Sequence, residues 1–301
     1  MLATALTLCM CEIHSGADQP RSWRLHLEGA KAILSSNTSS PNSEPNTQTG
    51  LLERWYTSIE ALAAISSQGL RAGDLPVGSP STSTIINETV YLDDYFAFCT
   101  DLVPAFKEIG ALAWERRALC DARMKGGCVL LSEQDLHTEA LGLQSRIKSM
   151  IARDRSNPPK FYPGVKEKLP SDVVKEFFLC NEAYQYVALL HISRRVIGVH
   201  REDEEVQHAV KRILECVEGI EPREGLSPYI VLTMPLFTAG REALGDDRET
   251  ARRKILELGS RLRLRNVWRS LEILEEGWRG GGEDQGNLAL LLHCMRARVR
   301  C

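Results

Sequence analysis

No apolar run in this chain approaches the ~20 residues needed to cross a bilayer, and no charged start leads into an apolar stretch with a cleavage site. A soluble, intracellular protein is expected. Charge of one sign is also lacking: 37 Lys and Arg stand against 40 Asp and Glu, a net charge of −3. That balance gives no overall pull toward nucleic acid or anionic lipid, so any DNA contact would have to be local. Nine cysteines are present, but none form the C-x-x-C hook of a zinc site. The closest pair, Cys9 and Cys11, sits within an apolar helical pattern, and the cysteines read as buried thiols of a reducing compartment. The sequons at Asn37 and Asn87 are then not glycosylated.

Catalytic signatures are missing as well. The chain has no H-E-x-x-H, G-x-S-x-G, Walker loop or G-x-G-x-x-G opening a helix. The D-D-x-x-D spacing that holds magnesium and a diphosphate fails twice, with Ala97 and Thr250 at the third carboxylate position after Asp93-Asp94 and Asp246-Asp247. Both acid pairs read as helix N-terminal charges favoured by the helix dipole. His137-Thr138-Glu139 has the H-x-E half of a zinc deaminase without the P-C-x-x-C that supplies the other ligands. Ser145-Arg146-Ile147-Lys148 fits S-x-x-K without its S-D-N and K-T-G partners, and reads as an exposed helix face. The seven histidines do not cluster at ligand spacing. From Arg241 onward 13 basic residues face 10 acidic ones, an excess of three that suits solvated helix faces with paired charges. No catalytic residue, metal site or cofactor is nominated, and the chain is not expected to be an enzyme.

What is present is helical periodicity. Leu2, Leu6, Cys9 and Ile13, then Trp23, Leu27, Ala30 and Leu34, then Leu52, Trp55, Ile59 and Leu62 recur at three and four residues. Leu136, Ala140, Leu143 and Ile147 follow a capping Ser132; Val206, Val210, Ile213 and Val217 precede a stop at Gly219; Val267, Leu271, Leu274 and Trp278 follow Asn266. Ser22 is placed to cap the helix carrying Trp23. These stripes predict an all-α fold, an irregular globular bundle of ten to eleven helices, since no fixed-length repeat supports a solenoid. At 301 residues the chain can bury roughly 75% of its unfolded surface and needs no staples.

Polar stretches at Ser35 to Gly50, Gly69 to Glu88, Asp154 to Pro170 and Arg279 to Asn287 interrupt the pattern and read as loops, some disordered. Thr84 to Tyr91 is the one candidate strand, with nothing to pair with. The organisation expected is one all-helical domain over 1–278, with disordered loops near 35–50, 69–88 and 154–170. A Gly-rich linker and terminal helix follow over 279–301.

Two helices point to a binding site. The helix expected over Ser171 to Val199 is apolar on most of its circumference around Ala183 to Ile192, which places it at the centre of the bundle. Pro235 interrupts another expected helix, Ser227 to Leu244, leaving the Val231 carbonyl without its usual amide and bending the axis. A kink beside a central helix is where a cavity can form. Tyr184, His191, Met234 and Phe237 are the candidate pocket residues, combining apolar walls with two polar handles.

The ordered landmarks also carry a family resemblance. Leu2 to Cys9 with Glu12-Ile13, Ser22 to Ala30, and Leu52-Glu53-Arg54-Trp55 form its first part. Ala183-Tyr184 with Leu189-Leu190-His191, Pro235 to Gly240, and Asn266-Val267-Trp268 leading to Leu274-Glu275-Glu276-Gly277-Trp278 form its second. In this order they resemble the regulatory (fungal-specific transcription factor) domain of fungal zinc-cluster Zn2Cys6 transcription factors, over most of the chain. The resemblance implies regulation of transcription in the nucleus, with a cytoplasmic pool, through a domain that senses a small hydrophobic effector. Its partners would be the transcription machinery or a second copy of the domain. Zinc is expected only in a DNA-binding cluster, whose six cysteines this chain lacks, so the resemblance does not extend to direct DNA binding. The alternatives are a ligand-free interaction scaffold of the same fold, anchored by Trp114, Trp268 or Trp278, and a helical enzyme of unrecognised type.

Overall fold

The computed structural model describes residues 1–15, 22–36, 48–66, 89–125 and 132–280. Ten α-helices appear among them, in the expected all-α architecture. Helices α1 (Leu2–Ser15) and α2 (Ser22–Ser36) form a hairpin packed chiefly on itself, with His26 Nε2 3.0 Å from Glu12 Oε1 across it. The stripe on α2 faces inward: Trp23, Leu27 and Ala30 are buried and Leu34 is half-buried. The hairpin rests on α3 (Gln48–Ala64) and on α10 (Arg265–Arg279).

Between them run α4 (Leu102–Lys125), α5 (Glu133–Ser156), α6 (Ser171–His191), α7 (Glu204–Glu218), α8 (Thr233–Glu242) and α9 (Asp246–Leu262). Caps explain the sharp starts: Ser132 accepts from the Asp135 amide before α5, and Asp203 from the Glu205 amide before α7. Helix α6 is the axis of the bundle, in contact with α4, α5, α7 and α8 and buried on nearly every face, as its all-round apolar pattern requires.

Several local expectations are corrected. The central helix ends at His191, not near Val199: a π-helical turn, Ile192–Ile197, follows and stops at Gly198, whose φ of 84° suits glycine. That turn carries two arginines inward. Arg194 Nε lies 2.7 Å from Glu242 Oε2. Arg195 donates to the Ile65 and Ser66 carbonyls just past α3, a cation on the negative end of a helix. The 154–170 stretch is not a structureless loop. It opens with the last turn of α5, and Lys160–Phe161 (β2) then pairs in parallel with Tyr91–Leu92 (β1), so the strand expected near Tyr91 has a partner. Tyr91 and Tyr162 stack beside this pair at 4.6 Å, and the Arg54 guanidinium covers Tyr162 at 3.8 Å in a cation–π contact. Asp93 and Asp94 cap no helix, since α4 starts at Leu102; they hold Arg54 at 3.2 and 3.3 Å. Asp246 and Asp247 do lie in the first turn of α9. Four of the six described cysteines are buried, but Cys11 and Cys120 are exposed. The loop expected at 35–50 is shorter at both ends, since 35–36 close α2 and 48–50 open α3, and the linker expected from 279 starts later, since α10 runs through Arg279; residues 37–47, the loop at 69–88, the strand residues 84–88 and the linker and helix over 281–301 lie outside the described residues.

Candidate functional site: a cavity under the α1–α2 hairpin

The predicted helix over Ser227 to Leu244 is split rather than bent. Pro235 has no amide to offer Val231, and the chain runs as a 3-10 turn, Pro228–Val231, before α8 begins at Thr233. The Val231 carbonyl is taken by the central helix instead: the Tyr184 hydroxyl donates to it at 2.9 Å. Burial raises the Tyr184 pKa well above its ordinary value, with Cys180 nearby adding to the effect, so the hydroxyl keeps its proton. Phe98 and Phe106 pack on the same ring at 5.0 and 6.3 Å and fix its direction.

This break forms one wall of a cavity of about 190 Å³. Ile230, Val231, Thr233 and Met234 line that side, and Tyr184 and Phe96 lie at the base. Ile59, Leu62, Ala63 and Ser66 come from α3 and its end, and Asn266 from α10. The opposite wall belongs to the hairpin, through Met10, Ile13, His14 and Trp23. The lining is largely apolar; two of its residues, Trp23 and Asn266, each carry a buried polar atom, the Nε1 donor and the Oδ1 acceptor, that no protein group meets. Trp23 itself is 3% exposed.

Of the four candidate pocket residues, Tyr184 and Met234 meet at this cavity. His191 and Phe237 do not line it. Phe237 is fully buried in the core on α8. His191 sits two helical turns beyond Tyr184, 2% exposed, with Nε2 unpartnered. Burial holds the His191 pKa well below 6.5, reinforced by Arg195 and Arg241. Burial also lowers the His14 pKa. The His191 imidazole is neutral in the folded state but gains a proton on unfolding below about pH 6.5, so folding stability falls as pH drops through that value, and the lowered His14 pKa acts in the same direction. For His191 the slope is up to about 1.4 kcal/mol per pH unit. Thermal melts between about pH 7.5 and 5.5 should show this loss, and His191→Leu should flatten it; an unchanged slope would contradict the assignment.

Sequence reasoning missed Trp23 and Asn266. In the sequence Trp23 is a packing residue of the α2 stripe, and the one signal available is that a buried indole N–H needs an acceptor. Trp278 satisfies that need within the fold, donating to the Gly240 carbonyl at 2.9 Å, while Trp268 rests on Gly259 and is 37% exposed. His137, Glu139, Ser145 and Lys148 of the two short catalytic look-alikes are all exposed on α5. A larger groove of about 690 Å³ runs between α5, α6 and the start of α7. Its polar groups answer one another: Lys148 pairs with Glu205 at 3.1 Å and Arg155 donates to the Tyr186 hydroxyl at 3.1 Å. The smaller cavity is the better candidate because its lining is the more apolar of the two and brings Tyr184 and Met234 together with the hairpin.

The sequence pattern of the fungal specific transcription factor domain matches residues 1–288. The chain belongs to this family. Membership gives it a role in transcriptional regulation, and the matched span takes in every wall of the cavity. No curated protein sequence and no solved structure matches the chain. Among the described residues of this transcription factor domain, no three His, Cys, Asp or Glu side chains converge as metal ligands, and no helix is long and apolar enough to cross a membrane.

Proposed function

We propose that this domain regulates transcription as an effector-responsive module, taking a small hydrophobic molecule into the cavity between the α1–α2 hairpin and the body of the bundle. The observation that carries this reading is a largely apolar cavity walled on one side by the α1–α2 hairpin and on the other by the break before α8, with the polar side chains of His14, Ser66, Thr233 and Asn266 in its lining. Such sites combine apolar walls with a few orienting polar groups. Binding would act through the hairpin, since four of the lining residues lie on α1 and α2 and the rest on the body. The site recognises and does not transform its ligand, and the domain works in the nucleus on the transcription machinery or a second copy of itself.

The test tethers the full chain to a heterologous DNA-binding domain upstream of a reporter. Expression should differ from that given by the DNA-binding domain alone. Ala63→Leu, which fills the cavity from α3, should shift that output while the protein remains folded by circular dichroism. Equal output from all three proteins would overturn the reading.

A further inference from the structure

The walls of the cavity specify what kind of molecule it holds. Resting on the effector-site reading above, we infer that the cavity takes an uncharged molecule built on a single aromatic ring, and that ions and fused multi-ring skeletons are excluded from it.

The lining excludes charge. Among the described residues that form it, none is Asp, Glu, Lys or Arg. Its titratable side chains offer no counter-charge either: burial lowers the His14 pKa, which disfavours the imidazolium, and the Tyr184 hydroxyl keeps its proton on the Val231 carbonyl. The Arg24 guanidinium touches two wall residues, donating to Ser66 Oγ at 2.7 Å and lying 4.7 Å from the centre of the Trp23 ring, but it is not part of the lining. An ion entering here sheds its hydration with no opposite charge to replace it, a cost that only a paired partner offsets.

Size narrows the class further. The cavity volume is about 190 Å³. An apolar protein cavity of roughly 150 Å³ accommodates benzene, and sites for drug-sized ligands start at about 300 Å³. One ring with small substituents falls in that interval; a fused four-ring skeleton does not. The lining includes Ile230, which is 50% exposed, so the part of a longer molecule that does not fit would stay in water there.

The wall chemistry favours an aromatic ring over a saturated one. Trp23, Phe96 and Tyr184 bring three aromatic side chains from separate parts of the chain, and Met10 and Met234 bring two thioethers. Aromatic rings gain from offset or edge-to-face contact with one another beyond the area they bury. Thioether sulfur adapts to irregular gaps and makes favourable contacts with ring edges. A saturated ring of like size buries a similar area and collects neither gain.

The test reads displacement of para-fluorotoluene from the full chain by fluorine NMR, with toluene, methylcyclohexane, para-toluate and hydrocortisone as competitors. These present a neutral aromatic ring, a saturated ring of like size, an anionic aromatic ring and a neutral four-ring skeleton. Toluene should bind about three- to tenfold more tightly than methylcyclohexane, the scale of the aromatic and sulfur contacts. Para-toluate should be weaker than toluene by on the order of a hundredfold or more, and hydrocortisone should not compete. Met10→Leu and Met234→Leu keep the volume nearly constant and should each narrow the preference for toluene over methylcyclohexane. Ala63→Leu, which fills the cavity, should weaken toluene. Equal affinity for toluene and methylcyclohexane would overturn the aromatic assignment. Para-toluate binding as tightly as toluene would overturn the exclusion of charge and point to Arg24, and competition by hydrocortisone would overturn the size limit. Each of those results leaves the effector site standing. Binding of neither para-fluorotoluene nor any competitor overturns the ligand class, and with Ala63→Leu also silent in the reporter assay it overturns the effector site itself.

Discussion

Alanine at position 110 is expected to destabilise the fold by about 2 kcal/mol or more through overpacking, although alanine is the better helix former. A β-carbon on Gly110 of α4 would sit 2.4 Å from the Ala64 carbonyl oxygen and 2.8 Å from its carbon. Both are backbone atoms of the last turn of α3, so no rotamer change relieves the clash, and the two helices must separate. Overpacking of this kind costs about 1–3 kcal/mol and occasionally more, against a propensity gain of up to ~1 kcal/mol. The displacement would also pull the Ile65 and Ser66 carbonyls away from Arg195. Gly142 on the exposed face of α5 is the matched control, with nothing within 4 Å of its added β-carbon. Gly142→Ala should therefore stabilise by up to ~1 kcal/mol. Urea midpoints at constant slope measure both, and a Gly110→Ala protein as stable as Gly142→Ala would refute the close helix approach.

Asp154→Ala should cost as much or more, about 3 kcal/mol, because it leaves buried donors unsatisfied. The Asp154 carboxylate is a hub at the end of α5: Oδ2 accepts from Asn181 Nδ2 at 2.9 Å and from Gln185 Nε2 at 2.7 Å, and Oδ1 accepts from Arg153 Nε at 2.7 Å. Asn181 passes the connection on, its Oδ1 accepting from the Cys99 amide at 2.8 Å. Asn181 and Gln185 are 2% and 1% exposed. Truncation therefore strands two amide donors inside the bundle at about 1–3 kcal/mol each. Removing the donors too, with Asn181→Leu and Gln185→Leu in the Asp154→Ala background, should recover part of the loss and reveal the coupling. A loss below ~1 kcal/mol for Asp154→Ala alone would mean that apolar contacts, not this network, join α5 to α6.

Asp154 also shows where the sequence stops being readable. The helices are legible because apolar residues at three- and four-residue spacing must share a face, and α6 can be placed at the centre from its own composition. The acid at 154 reads locally as the start of a polar loop. Its partners Asn181 and Gln185 lie far along the chain on another helix, and nothing local separates a solvated carboxylate from one ringed by donors. The β1–β2 pair is hidden for the same reason: two residues per strand give no alternation, and what holds them is the stacking of Tyr91, Tyr162 and Arg54 from three segments. The cavity is half legible. Pro235 announces the broken helix and with it Met234, because that effect is local to the chain, and the all-round apolar pattern of α6 announces Tyr184. His191 and Phe237 belong to the core instead, and Trp23 and Asn266 become wall residues only when α2 and α10 meet the body.

The hairpin wall has a thermodynamic corollary. Any molecule held between Trp23 on one side and Asn266 on the other contributes its binding free energy to the docking of α1–α2 as well as to its own retention. The two equilibria are reciprocal: a ligand at a hundred times its dissociation constant adds ~2.7 kcal/mol to the closed arrangement, and whatever tugs the hairpin outward weakens the ligand by the same factor. Mechanical load on the first two helices is thereby convertible into a change of chemical affinity, and the conversion runs in both directions.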